Sequence, residues 1–279
     1  MEPDVIASGT GHAASAGRRE ELRLNLADVR DRIAAAAGAA GRPVGELTLV
    51  AVSKTWPAAD VVILDALGVT HFAENRDQEA RPKVVDVTKS LFDAEVSLVW
   101  PPGRADAGRV GRQDAEASPV SVPCWHFVGR LQRNKAASVA RWADWVQSVD
   151  RAPVVTALAR AAAVNGRQLA VCLQVSLDPA GSGTGRGGAL PADIPALGDL
   201  VAGSGGLVLA GVMGVAPRDA PARPAFARLR EVSDVLRQGH PDASAISAGM
   251  SGDLEDAVAE GATHLRIGTA LFGQRRGVP

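Results

Sequence analysis

The sequence predicts an α/β fold: a single (β/α)8 barrel of the TIM type. Three observations support this. Strand-like and helix-like stretches alternate eight times. One further helical pattern precedes the first strand. The 279 residues suffice for one large α/β domain. An open doubly wound sheet is the competing architecture.

The elements follow in chain order. Residues 1–17 are rich in Gly, Ala and Ser and read as a flexible tail without a signal-peptide pattern. The barrel domain is expected over 18–279 and opens with a helix at about Arg18–Ala37. The apolar run Leu47–Ser53 is the first strand. The others are Thr70–Ala73, Cys124–Val128, Trp145–Val149, Leu169–Ser176, Leu207–Met213, Ala245–Ala248 and His264–Gly268. Helical patterns fall between them at Ala58–Leu67, Asn75–Val84, Arg133–Arg141, Pro153–Val164, Pro191–Ala202, Pro221–Gln238 and Gly252–Glu260. The stretch 85–122 is too long for a normal connection and reads as a partly disordered surface insertion, with a short strand at Val96–Trp100. The glycine-rich run 181–188 lacks the GK[ST] ending of a phosphate loop and reads as a flexible βα loop.

Composition excludes several classes. The formal net charge of -1 implies no strongly basic face for nucleic acid. No apolar run is long enough to span a bilayer. Cys124 and Cys172 lie in apolar, strand-like runs and read as buried thiols in a reducing compartment. The five His are scattered, and no metal site is expected. The chain has no Tyr, so no phenol serves as acid, base or nucleophile.

Lys54 carries the strongest chemical signal. Of 30 Lys and Arg residues only four are Lys. Lys54 sits where the first strand runs into a loop. A desolvated Lys loses its proton and attacks a carbonyl to form a Schiff base, which Arg cannot do. A Lys snorkelling from a strand end is the plainer alternative. In a barrel, functional groups gather at the C-terminal ends of the strands. Glu74 and Asn75 follow strand two, Met213 ends strand six, Ser247–Ser251 follow strand seven, and Arg266–Thr269 close strand eight. Gly249, Gly252 and Gly268 admit close approach of a phosphate, and Ser247, Ser251 and Thr269 offer hydroxyls. A Schiff-base lysine near a phosphate site fits pyridoxal 5'-phosphate (PLP), and it also fits a phosphosugar aldolase. Arg266 beside a pyridine nitrogen would keep that nitrogen unprotonated and weaken the ring as an electron sink. His126, within strand three, reads as a buried structural histidine.

Five blocks carry a family resemblance. They are Ala51-Val-Ser-Lys54-Thr, Phe72-Ala-Glu-Asn75 with Gln78-Glu79, Trp125-His-Phe-Val-Gly129 with Leu131-Gln132 and Asn134-Lys135, Ser247-Ala-Gly-Met-Ser251 with Asp253, and Arg266-Ile-Gly-Thr269-Ala-Leu-Phe-Gly273. In this order they resemble the pyridoxal phosphate homeostasis proteins, which look like the N-terminal barrel domain of alanine racemase standing alone. The resemblance implies a cytoplasmic monomer holding PLP as a Schiff base on Lys54. Phosphate contacts would come from Ser247, Gly268 and Thr269. Arg266 would lie near the pyridine nitrogen, with Asn75 and Met213 lining the pocket. It implies a role in PLP buffering or delivery, with PLP-dependent apoenzymes as recipients and no established turnover. The alternative is a PLP-dependent racemase or decarboxylase. Two departures stand out: the long 85–122 stretch, and Arg76 where many members carry Tyr.

Overall fold

Eight parallel strands pair in chain order and close into a barrel: β1 Thr48–Val52, β2 His71–Glu74, β3 Cys124–Phe127, β4 Trp145–Val149, β5 Leu169–Gln174, β6 Leu207–Met213, β7 Ala245–Ser247 and β8 His264–Ile267. The computed structural model describes residues 9–92, 122–178 and 187–274. Closure comes from β8 pairing with β1, with Val50 opposite Arg266. The helices are α1 Gly9–Ala39, α2 Ala58–Ala66, α3 Asp77–Phe92, α4 Ala136–Val139, α5 Ala152–Val164, α6 Ile194–Ala202, α7 Ala222–Gly239, α8 Leu254–Ala259 and α9 Thr269–Phe272.

The strands are nearly continuous apolar runs because both of their faces are covered. Outward residues such as Phe72, Val146 and Leu265 pack under the helices in one continuous core. Each fully buried aliphatic or aromatic side chain there contributes about 1.5–3 kcal/mol. The lumen differs from the usual barrel filling of branched aliphatics. One side holds Trp145, Cys172, Met213 and three alanines, and the other holds Val50, Val52 and Ala73. Between them lies a polar layer that includes the buried His126, Gln147, Ser247, His264 and Arg266.

Two expectations change. The first helix reaches back to Gly9, so residues 9–17, read as tail, belong to α1. The Ala-rich stretch there favours helix once the following turns are anchored. Arg18 supplies an anchor, with its Nη2 donating to Asp60 at 2.7 Å and to the Phe272 carbonyl at 3.0 Å. Its guanidinium also lies 4.6 Å from the Trp56 ring centre. Second, α3 runs to Phe92, eight residues into the span read as an insertion. The stripe Ala80, Lys83, Val84, Val87 holds helical spacing and is buried, which carries the helix on. The strand expected at Val96–Trp100 and most of the glycine-rich run lie outside the described residues.

Candidate functional site

At the C-terminal rim, the end of β1 is held from behind. Inward parity passes from Val50 and Val52 to Lys54, which is partly buried. Ser53 takes the opposite face, its amide donating to the Ala73 carbonyl at 3.0 Å. Its hydroxyl donates to Glu74 Oε1 at 2.7 Å. Lys83 Nζ, rising from α3, donates to the same Oε1 at 2.5 Å and to the Ser53 carbonyl at 2.7 Å. Glu74 is fully buried, and Oε2 has no hydrogen-bond partner among the described residues. Burial pushes its pKa up, against the pull of Lys83 and Ser53. Thr55 then turns the chain with φ of 69°, a strained conformation for a β-branched residue.

On the facing side, Arg266 is buried in the lumen. Its Nη1 donates to Ser247 Oγ at 2.6 Å, and Nη2 donates to the Gly214 carbonyl at 2.8 Å. Burial lowers its pKa to about 10, so it stays a cation at neutral pH. A hydrogen-bond chain continues below it. Ser247 Oγ donates to Gln147 Oε1 at 2.8 Å. Gln147 therefore presents Nε2 to His126 Nδ1 at 2.8 Å. That leaves the proton of a neutral His126 on Nε2, which lies 2.9 Å from His71 Nδ1. Burial drives the His126 pKa well down, so the ring is neutral.

Two loops close the rim. After β7, Gly249 adopts φ of 88°, and a Cβ there would lie 2.7 Å from Ala257 Cβ. Its carbonyl accepts from the Arg266 amide at 2.9 Å, which ties the β7 loop to β8. The Met250 amide donates to Asp253 Oδ1 at 2.5 Å. Ser251 Oγ accepts from the Ala270 amide at 3.1 Å, beside the first turn of α9. A Cβ on Gly268 would sit in ordinary contact with Val52 at 3.6 Å, so that position is not tightly packed. Thr269 is exposed. The rim thus offers one lysine, one buried cation and two loops with accessible backbone.

The alanine racemase N-terminal domain model matches residues 24–276. The pyridoxal phosphate homeostasis protein of Mycobacterium tuberculosis is 42% identical over 265 residues, covering 93% of this chain and 95% of that one. The namesake of Pseudomonas aeruginosa is 38% identical, covering 90% and 94%. Among solved structures, PipY of Synechococcus elongatus with PLP bound superposes with a TM-score of 0.69 at 32% identity, covering 90% of this chain and all of PipY.

The chain belongs to the pyridoxal phosphate homeostasis protein family.

Alanine racemase of Corynebacterium glutamicum, at 13% identity and a TM-score of 0.59, shares the fold alone, and the chain covers 62% of it. For this homeostasis-family chain, the structure brings Lys54, Asn75, Met213, Ser251, Gly268 and Thr269 to the C-terminal ends of strands or their loops, with Arg266 in the lumen beneath. Ser247 is placed differently from the expectation of a phosphate contact. It is fully buried, and its hydroxyl is committed to Arg266 and Gln147. Glu74, the acid or base an aldolase would need, faces Ser53 and Lys83 rather than the lumen. The scattered histidines also need correcting: His71 and His126 meet beside Cys124. Sequence reasoning missed Lys83 and Gln147. Each had a signal: Lys83 occupies a core position of the α3 stripe, and Gln147 interrupts the wholly buried β4.

Proposed function

We propose that this chain binds PLP as a Schiff base on Lys54 and serves PLP homeostasis, buffering or delivering the cofactor without turnover. The observation that carries the reading is Arg266, a buried cation held in the lumen by Ser247 and Gly214. Bound PLP supplies an aldehyde for the lysine, and a ring that withdraws electrons strongly only when its nitrogen is protonated. Arg266 has only donors, no lone pair to accept from a protonated ring nitrogen, and it opposes a second positive charge. It therefore holds the ring in its weak form, suited to storage.

The residues fit the cofactor. Lys54 lies at the end of β1, steadied by the Ser53–Glu74–Lys83 cluster. Ser251 and the Gly268 and Thr269 backbone hold the phosphate. Ser247 acts at one remove, by fixing Arg266. Asn75 and Met213 line the pocket. The absence of Tyr leaves no phenol as the second base of a racemase. The protein acts in the cytoplasm as a monomer, with PLP-dependent apoenzymes as recipients. No helix among the described residues is long and apolar enough to cross a membrane.

The test is spectroscopic. Purified protein, loaded with PLP, is reduced with borohydride and digested, and the modified peptide is mapped by mass spectrometry. The adduct should sit on Lys54. A different lysine, or no adduct, overturns the assignment. D-alanine formed from L-alanine at turnover rates would replace storage with racemisation.

A further inference from the structure

At the opposite end of the barrel, the geometry points to a second site: a divalent metal site for a zinc-class ion, built from His71, Cys124 and His126. The three residues come from two adjacent strands. His71 opens β2 and Cys124 opens β3, and the register sets them side by side. His126 lies two residues beyond Cys124, so both project into the lumen. One donor atom from each lies within 4.8 Å of the others. His126 Nε2 is 2.9 Å from His71 Nδ1 and 3.7 Å from Cys124 Sγ. Tetrahedral zinc with bonds of about 2.0–2.3 Å separates its ligand atoms by roughly 3.3–3.8 Å. The imidazole pair needs to open by only a few tenths of an ångström.

The chemistry of the donors selects the ion. Two imidazoles and a thiolate suit zinc and its neighbours, and they reject magnesium and calcium, which demand oxygen. Each imidazole offers one ring nitrogen to the ion. His71 and Cys124 are only partly buried. The fourth position therefore opens towards the mouth of the barrel, where water completes the shell.

The protons balance in one way. The metal displaces the thiol proton of Cys124, which leaves to solvent. The proton on His126 Nε2 moves to Nδ1, freeing Nε2 for the metal. Gln147 then turns its amide to accept from Nδ1, becoming the outer partner that orients a metal-bound imidazole, and its Nε2 now donates to Ser247 Oγ, whose own proton is released from Gln147. Its three ligands are distinct from the Lys54 rim and the site does not depend on the cofactor reading, although Gln147 and Ser247 link His126 to Arg266.

The probe is Co2+, titrated into the full chain without added PLP. The expected result is one ion per chain with a thiolate-to-cobalt charge-transfer band in the near ultraviolet, displaced by Zn2+. Cys124→Ser should abolish the band, and His71→Ala should weaken affinity tenfold or more. Cys172→Ala should leave both unchanged, since Cys172 is not among the three grouped donors. Far-ultraviolet circular dichroism confirms that each variant is folded. No charge-transfer band in the wild-type chain, or a band that survives Cys124→Ser, overturns the site.

Discussion

Replacing Lys83 by Met tests the support behind Lys54. Met keeps the unbranched stem and removes only the ammonium. Lys83 is 9% exposed and Glu74 is fully buried, so the carboxylate loses its ion-pair partner Lys83 in a place water does not reach. Orphaning one partner of such a pair costs about 3–5 kcal/mol. The Ser53 carbonyl loses its lysine donor as well, adding about 1 kcal/mol. Against a domain stability of about 5–15 kcal/mol, this is a large fraction. In Glu74→Gln/Lys83→Met the buried charge is gone, and Gln still accepts from the Ser53 hydroxyl. The double variant should therefore be more stable than Lys83→Met alone, with a coupling of about 2 kcal/mol or more. Urea unfolding at neutral pH, read by circular dichroism, measures all four corners of the cycle. A pH series adds a sign. Burial raises the folded-state pKa of Glu74. A group raised in this way favours the folded state below its unfolded pKa and loses that stability as pH rises through its folded value. Lys83→Met should thus recover stability relative to wild type as the medium is acidified towards pH ~5. Additive single variants, within about 0.5 kcal/mol, would refute the reasoning.

Lys54→Ala should abolish the borohydride-trapped adduct while PLP still binds, more weakly, through the phosphate loops. Equilibrium dialysis checks this, and complete loss of PLP from a folded variant contradicts a two-part site. Gly129→Ala would bring a Cβ to 2.0 Å from the Asn75 carbonyl oxygen, so β2 and β3 must part at their ends. A loss of about 3 kcal/mol or more in urea unfolding is expected, on the scale of other overpacking substitutions. Burial depresses His264 from 6.5 to about 3, so the unfolded chain binds a proton there that the folded chain refuses. Stability should fall as pH drops from 6.5 towards about 3, and His264→Asn should flatten that slope by about one proton. Denaturation in the presence of a chelator, across that range, reads the difference.

The barrel was legible because its strands are apolar runs separated by helical patterns, which places Leu47–Ser53 or Leu207–Met213. The rim was legible for a related reason. In a barrel, strand ends are a fixed address, so Lys54 and Arg266–Thr269 needed no three-dimensional information. What stayed hidden depends on which face a polar residue takes and what it meets there. Ser247 reads as a rim hydroxyl until parity turns it into the lumen beside Arg266. His71 and His126 stand 55 residues apart and meet only through the register of β2 on β3. The extension of α3 past Val84 was obscured by the length of the segment, although Val87 keeps the stripe.

The first helix has a consequence for how the chain is made. Arg18 grips the Phe272 carbonyl across 254 residues of sequence, Asn25 grips Leu271 across 246, and Arg42 reaches Ala262 across 220. These partners are translated more than two hundred residues after the segment that holds them. At about 5–20 residues per second, the interval is roughly 13–50 s. Through that time the stripe Leu22, Leu26, Val29 and Ile33, buried in the finished barrel, lacks the part of its seam that α8 and α9 supply. Contacts this distant also make folding slow after release. The helix that fastens the barrel shut is therefore left with apolar surface uncovered during synthesis, where a chaperone would shelter it.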